Sequence, residues 1–341
     1  MTVTRELLRR LPKAELHVHL DGCLRPTTLL ELARDAGVRL PAESPDDLAK
    51  AMSVERARNL EEYLERYRYT VSVLQTPQAL ERVAYEFVVD VAQENIRYVE
   101  VRYCPALHTP GVTLTQAVES PLAGIKRAQE ETGCIVGVII CGLRTLSPTI
   151  SNDLAHLAVD YREAGVVGFD LAGVEFGYPA GNHAAAFRYA AGHGLACTCH
   201  AGEGAGPESV RQALHECGAA RIGHGTRIGE DPALLDYVAE HRIPLEVCLS
   251  SNVHTNTVRD IAEHPAKAYF DHGCVLTLNT DGRLIDGVTL TDEYWLAHTE
   301  LGFTRADLEQ VIVNTFSSAF LPSDAKASLM SRVHIELRSI P

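Results

Sequence analysis

Residues 14–22 read AELHVHLDG, with His17 and His19 two apart in an apolar run and Asp21 two further on. On an extended strand that spacing sets the three polar side chains on one side and Leu16, Val18 and Leu20 on the other. An HxH pair on a strand is a compact two-ligand clamp for a metal ion. The plain alternative is a pair of hydrogen-bonded core histidines. Further along, CTCHAGEGAG ends an apolar run on His200 and carries Glu203 in a Gly-rich turn that lets the carboxylate bend back over the strand end. Taken alone, Glu203 could instead be an acid at the start of the helix-like ESVRQALHE. RIGHGTRI sets His224 between two glycines. LTLNTDG sets Asp281 in register with Thr277 and Asn279, where an aspartate could also open a turn or cap a helix. Three histidines and a carboxylate suit zinc, and a water in the remaining position makes a catalytic site rather than a closed structural one.

These residues lie at the ends of short apolar runs, and those runs are the elements that must position them. The runs at 15–19, 96–103, 134–143, 166–173, 195–200, 221–225, 244–251 and 274–282 alternate with helix-like stretches such as TLTQAVESPLAGIKRAQEETG. Strand–helix alternation implies parallel strands with crossover helices, and eight strands is the number that closes a TIM (β/α)8 barrel. A doubly wound open sheet is the alternative. In a barrel the ends of all eight strands meet on one face, which gathers His17, His19, His200, His224 and Asp281. Parity points Thr198 and His200 inward and Cys197 and Cys199 toward the helices, so the two cysteines read as packing. Glu246 and Arg102 could form an ion pair inside the barrel. A two-metal site would need a bridging ligand, often a modified lysine, on the fourth strand. VVGFDLAG has none, which favours one metal.

Residues 1–341 read as a single barrel domain with a helical insertion at about 24–95, more than one crossover needs. Within it Leu60, Tyr63, Leu64 and Tyr67 form one helical stripe, suited either to a lid over the strand ends or to a crossover decorated against the barrel. No internal repeat or flexible linker divides the chain. The net charge of −14 speaks against a nucleic-acid binder, and no run approaches the ~20 apolar residues of a membrane span. MTVTRELLRRLPKAEL has no apolar signal core, and the nine cysteines include no CxxC, so the expectation is a cytoplasmic protein with reduced thiols.

Together PKAELHVHLDG, EVRY, GFDLAGVE, CHAGE, IGHG, LEVCLSSN and LNTD, in this order, resemble the adenosine deaminase family of metal-dependent barrel hydrolases over about residues 12–290. The resemblance implies one zinc ion per chain on His17, His19, His200 and Asp281. It implies Glu203 as proton donor to purine N1, and His224 orienting the attacking hydroxide, with Asp281 helping to move its proton. His19 and Asp21 would lie on the ribose side, and the backbone of Gly173 would approach a ring nitrogen. The implied substrate is a 6-aminopurine nucleoside, adenosine or 2′-deoxyadenosine, deaminated to the inosine product and ammonia. Adenine and a 5′-modified adenosine such as aminodeoxyfutalosine are the alternatives, and a noncatalytic nucleoside-binding relative is a third. The family commonly reads NTDDP, its second aspartate at purine N7, and DLAGDE. Here Gly282 and Arg283 follow Asp281, and Val174 follows Gly173. Gly282 thus stands at a substrate-binding position without a side chain, and Arg283 could answer an acidic substituent.

Overall fold

The computed structural model describes residues 3–53 and 56–340. Eight strands pair side by side in chain order: β1 (Lys13–His19), β2 (Ile96–Tyr103), β3 (Ile135–Leu143), β4 (Val166–Ala172), β5 (Ala196–Ala201), β6 (Arg221–His224), β7 (Leu245–Val247) and β8 (Leu276–Leu278). All seven pairings are parallel, and each connection passes through at least one helix, as parallel neighbours require. Several helices start where local chemistry says they should. Thr76, Ser147 and Asp231 each cap a backbone N–H and are followed directly by proline.

The ring closes between β8 and β1. Val18 bridges Asp281 in parallel, His19 N donates to Asp281 O at 2.7 Å, and Asp281 N donates to His17 O at 3.1 Å. Below that point the side chain of Asn279 replaces the missing ladder, its Oδ1 accepting from Leu16 N (2.8 Å) and His17 N (3.1 Å). The molecule is the expected TIM barrel rather than an open sheet.

Alternation divides each strand between two environments. Leu16, Val18, Val101, Ile140, Leu171 and Ile222 are buried in the apolar layer beneath the helices. The opposite parity fills the barrel with charge instead of the branched aliphatics common there. Arg221 lies between Glu100 (2.5 Å) and Glu246 (2.6 Å), and Arg102 between Glu246 and Asp170 (2.9 Å each). The Glu246–Arg102 pair expected from sequence is one link of this chain, and inward-facing Thr198 donates to Glu246 at 2.9 Å. All five ionic side chains are buried. Removing one charge leaves its partners buried without compensation, at a cost of about 3–5 kcal/mol. Glu246→Gln should therefore lower the urea midpoint by that equivalent, and an unchanged midpoint would contradict the network.

Among its described residues the insertion holds five helices, at Pro26–Ala36, Pro45–Met52, Leu60–Leu64, Tyr67–Val73 and Pro77–Ala92. Pro77–Ala92 is the crossover, packed so closely on helix Leu114–Thr132 that a Cβ on Gly124 would collide with Glu81 O. The two short helices carrying the Leu60–Tyr67 stripe roof the strand ends.

Two strands are shorter than expected. The run 244–251 yields only Leu245–Val247, because Leu249–His254 is helical. No local cap starts that helix. The buried Glu293 carboxylate accepts the N–H of Leu249 (2.7 Å) and Ser250 (3.2 Å) from a different element. The run 274–282 likewise narrows to Leu276–Leu278. Asp21, expected on an extended continuation of β1, sits on a 3-10 turn at Leu20–Gly22.

Candidate active site

Three imidazoles and one carboxylate converge at the C-terminal ends of β1, β5 and β8. His19 Nε2 lies 3.1 Å from His200 Nε2 and 3.3 Å from Asp281 Oδ1, and His17 Nε2 lies 3.5 Å from the same oxygen. Donor atoms about 2.0–2.1 Å from one tetrahedral zinc stand about 3.3–3.4 Å apart, so the spacing fits a shared ion. His17 Nε2 is buried without a hydrogen-bond partner, a polar atom that an ion at this position would satisfy. Burial holds the imidazoles of His19 and His200 below their ordinary range, which leaves their lone pairs free near neutrality.

The charged interior of the barrel orients two of these rings. His17 Nδ1 donates to Glu246 Oε2 at 2.9 Å, and His200 Nδ1 to Asp170 Oδ2 at 3.0 Å. Burial works against both carboxylates, but Arg102 with Arg221 at Glu246, and His200 with Arg102 at Asp170, hold them well below the usual range. Each carboxylate therefore fixes a tautomer whose free Nε2 faces the cluster. Gly223 has a steric duty here, since a Cβ would fall 3.0 Å from His17 Cε1.

His224 and Asp281 both take left-handed backbone conformations, φ +63° each, which turns their side chains back over the barrel mouth. Asp281 Oδ2 accepts from Ser251 Oγ at 2.6 Å. Asn252 Oδ1 accepts from Thr226 Oγ1 (2.6 Å) and His264 Nε2 (3.1 Å), so its amide nitrogen is the donor to His224 Nδ1 at 3.2 Å. The proton of neutral His224 is then on Nε2, 3.6 Å from Glu203 Oε2. His264 thus supports His224 at one remove.

Glu203 stands across the cluster from β1. Its Oε1 is buried and unpartnered. Burial, then the charges of Asp281 and Glu175, push its carboxyl well above the usual range and favour its protonated form. Glu175 holds this turn in place, accepting the N–H of Glu203 (3.4 Å) and Ala205 (2.5 Å).

His19, His200, Glu203, His224 and Asp281 border a cavity of about 300 Å³. Asp21 lines it with Oδ1 unpartnered, its carboxyl raised by burial to about 7. Gly173, φ +92°, and Val174 line the β4 side. Gly282 lies just behind the wall, its N–H bonded to Asp286 Oδ2 at 3.2 Å. Arg283 is turned away and locked in ion pairs with Glu94 and Glu15, so it is not free to meet a substituent of a molecule in the cavity. Sequence reading missed Asp170, Glu175, Asn252 and His264. Only Asp170 carried a signal, an acid of inward parity on an apolar strand. All nine cysteines are buried and unpaired, none of them among the four converging groups. No described helix is long and apolar enough to cross a membrane.

The sequence matches the family model for adenosine deaminase over residues 12–336. It is 38% identical to an adenosine deaminase of Mycobacterium marinum, over 97% of this chain and 96% of that protein. Among solved structures it resembles the adenine deaminase of Arthrobacter aurescens (TM-score 0.88, 27% identity, 96% of this chain and 99% of that one). It also resembles a zinc-bound amidohydrolase from Burkholderia ambifaria (TM-score 0.88, 26% identity, 100% and 95%).

Proposed function

The chain belongs to the adenosine deaminase family of metal-dependent hydrolases acting on C–N bonds, and from that premise we propose that it deaminates adenosine and 2′-deoxyadenosine with one zinc ion. One observation carries the reading: His17, His19, His200 and Asp281 converge, with His17 Nε2 left without a partner, beside a buried Glu203 whose Oε1 is also unpartnered. The zinc-bound relative supports the choice of metal. Held by His17, His19, His200 and Asp281, zinc would supply a nucleophile at neutral pH by lowering the pKa of water toward ~7.

The protein's own residues do the rest. The amino-bearing carbon of a purine is a poor electrophile until N1 takes a proton. Glu203 is the buried acid that holds one at neutral pH, and its free Oε atom is where the ring nitrogen docks. His224, with Nε2–H aimed into the site, steadies the oxygen that adds to C6. Asp281 Oδ2, paired with Ser251, receives the proton that oxygen gives up. Asp281 then passes that proton to the amino group, which leaves as ammonia when the C6–N bond breaks and the added oxygen becomes the product carbonyl. Asp21 and His19 offer a carboxylate and an imidazole edge to ribose hydroxyls, and the backbone of Gly173 closes on the far edge of the base.

The cavity also separates substrate classes by charge. Asp281 and Asp21, the latter part-ionised near neutrality, face it, whereas Glu203 in its protonated form adds no negative charge. Arg68, at the mouth and bonded to Tyr69 Oη at 2.8 Å, is the one arginine or lysine on its wall among the described residues. That balance favours an uncharged nucleoside over a nucleotide. Free adenine, which the Arthrobacter relative's name specifies for that protein, would leave Asp21 without a partner. Ammonia release from adenosine, 2′-deoxyadenosine, adenine, AMP and 5′-modified adenosines tests this. We expect both nucleosides to be turned over, with AMP at least ~100-fold lower in kcat/KM, as a buried like charge costs several kcal/mol. No release from either nucleoside by the zinc-loaded protein would refute the reading.

A pH dependence arises from the same geometry. The active form has Glu203 protonated, so kcat/KM falls as pH rises through its raised pKa. Glu175→Gln removes a neighbouring negative charge and lowers that pKa, so the falling limb should move to lower pH. A limb that stays put in a folded variant would show that Glu175 does not tune the acid.

A further inference from the structure

Two glycines and a tyrosine at the barrel seam form a feature that the deamination steps do not use. Their meaning depends on the orientation of the bound base, and so rests on the deamination reading. In a purine, C6 is bonded to N1 on one side and on the other to C5, which carries N7. With C6 at the ligand cluster and N1 at Glu203, N7 lies on the flank away from Glu203. Glu203 comes after β5, and in a ring of eight strands β5 faces β1. N7 therefore points at the seam where β8 meets β1.

Gly22 and Gly282 meet there. A Cβ on Gly22 would lie 3.0 Å from Gly282 Cα, and the notch between them holds the hydroxyl of Tyr67. That oxygen would be 2.9 Å from a Cβ on Gly22 and 2.7 Å from one on Gly282. Gly282 has φ −122°, which any residue adopts, so the position demands space rather than backbone freedom. The neighbouring Tyr63 hydroxyl is committed, donating to Asp286 Oδ2 at 2.9 Å. Tyr67 lines the cavity edge-on to His19, 6.2 Å between ring centroids, and its hydroxyl has no hydrogen-bond partner among the described residues. N7 is a lone-pair acceptor without a proton, and a phenol is a donor at every working pH, whereas a carboxylate donates only when protonated.

We propose that Tyr67 donates a hydrogen bond from its hydroxyl to N7 of the bound 6-aminopurine, and that Gly22 and Gly282 are small so that it can. Tyr67 would then be a specificity residue supplied by the roof rather than by a strand end.

The test compares kcat/KM for adenosine and 7-deazaadenosine, in which N7 becomes C–H, in wild type and Tyr67→Phe. The altered ring electronics of the analogue are common to both enzymes and cancel in the comparison. The adenosine preference should fall about tenfold in Tyr67→Phe, the weight of one neutral hydrogen bond. Gly282→Ala keeps the hydroxyl but crowds it from the notch. It should produce the same fall, which covers the case of a Phe variant that fails to fold. A preference unchanged in folded variants overturns the role of Tyr67 and leaves deamination standing. Absence of adenosine turnover in wild type overturns both.

Discussion

Glu203→Gln should keep its fold and a full metal complement yet lose about 10³-fold in kcat, within the range a positioned general acid contributes. The amide matches the carboxyl in size and still fits the turn held by Glu175. It has no acidic proton to give to N1. Glu203 also lies outside the four-residue donor cluster, so losing its carboxyl leaves those donors in place. KM should change far less than kcat, because the proton matters most as the ring loses aromaticity. Near-normal kcat in a metal-replete variant would remove Glu203 as the acid.

Asp281→Ala should fail in the opposite way. Asp281 offers Oδ1 to the shared position beside His17 and His19, and Oδ2 to Ser251. On the proposed reading its loss would strip one of four ligands and the carboxylate that takes up a proton. Even an outer partner of a metal ligand is worth 10–100-fold in affinity, so the loss here should exceed about 100-fold, with kcat down about 10⁴-fold. Elemental analysis of the purified variant should show well under the wild-type metal content. A variant retaining metal and appreciable turnover would place the ion elsewhere. The two substitutions separate loss of the acid alone from loss of the metal together with a proton acceptor.

Much of this was legible because strand parity is a local property. HVH on β1 forced both imidazoles to one side, and TCH on β5 forced His200 inward and its flanking cysteines out. Both expectations hold in the fold. The convergence of distant strand ends came with the count of eight strands. What sequence concealed depends on contacts between elements. LSSN reads as the continuation of β7 because its helix cap is Glu293, 44 residues beyond Leu249. Asp21 lines the cavity from a turn, not from the extended continuation of β1 whose parity singled it out. Gly282 looks like a missing contact in the sequence. Only the packing of the roof shows that a side chain there would displace Tyr67. Arg283 reads as a free cation until Glu94, nearly two hundred residues earlier, is found against it.

The most direct test of the account is a zinc titration of metal-free protein with ammonia release from adenosine as the readout. Activity should be absent without metal, rise linearly with added zinc, and break at one equivalent per chain. Full activity in the stripped protein, or a rise that continues to two equivalents, would contradict a single ion held by His17, His19, His200 and Asp281.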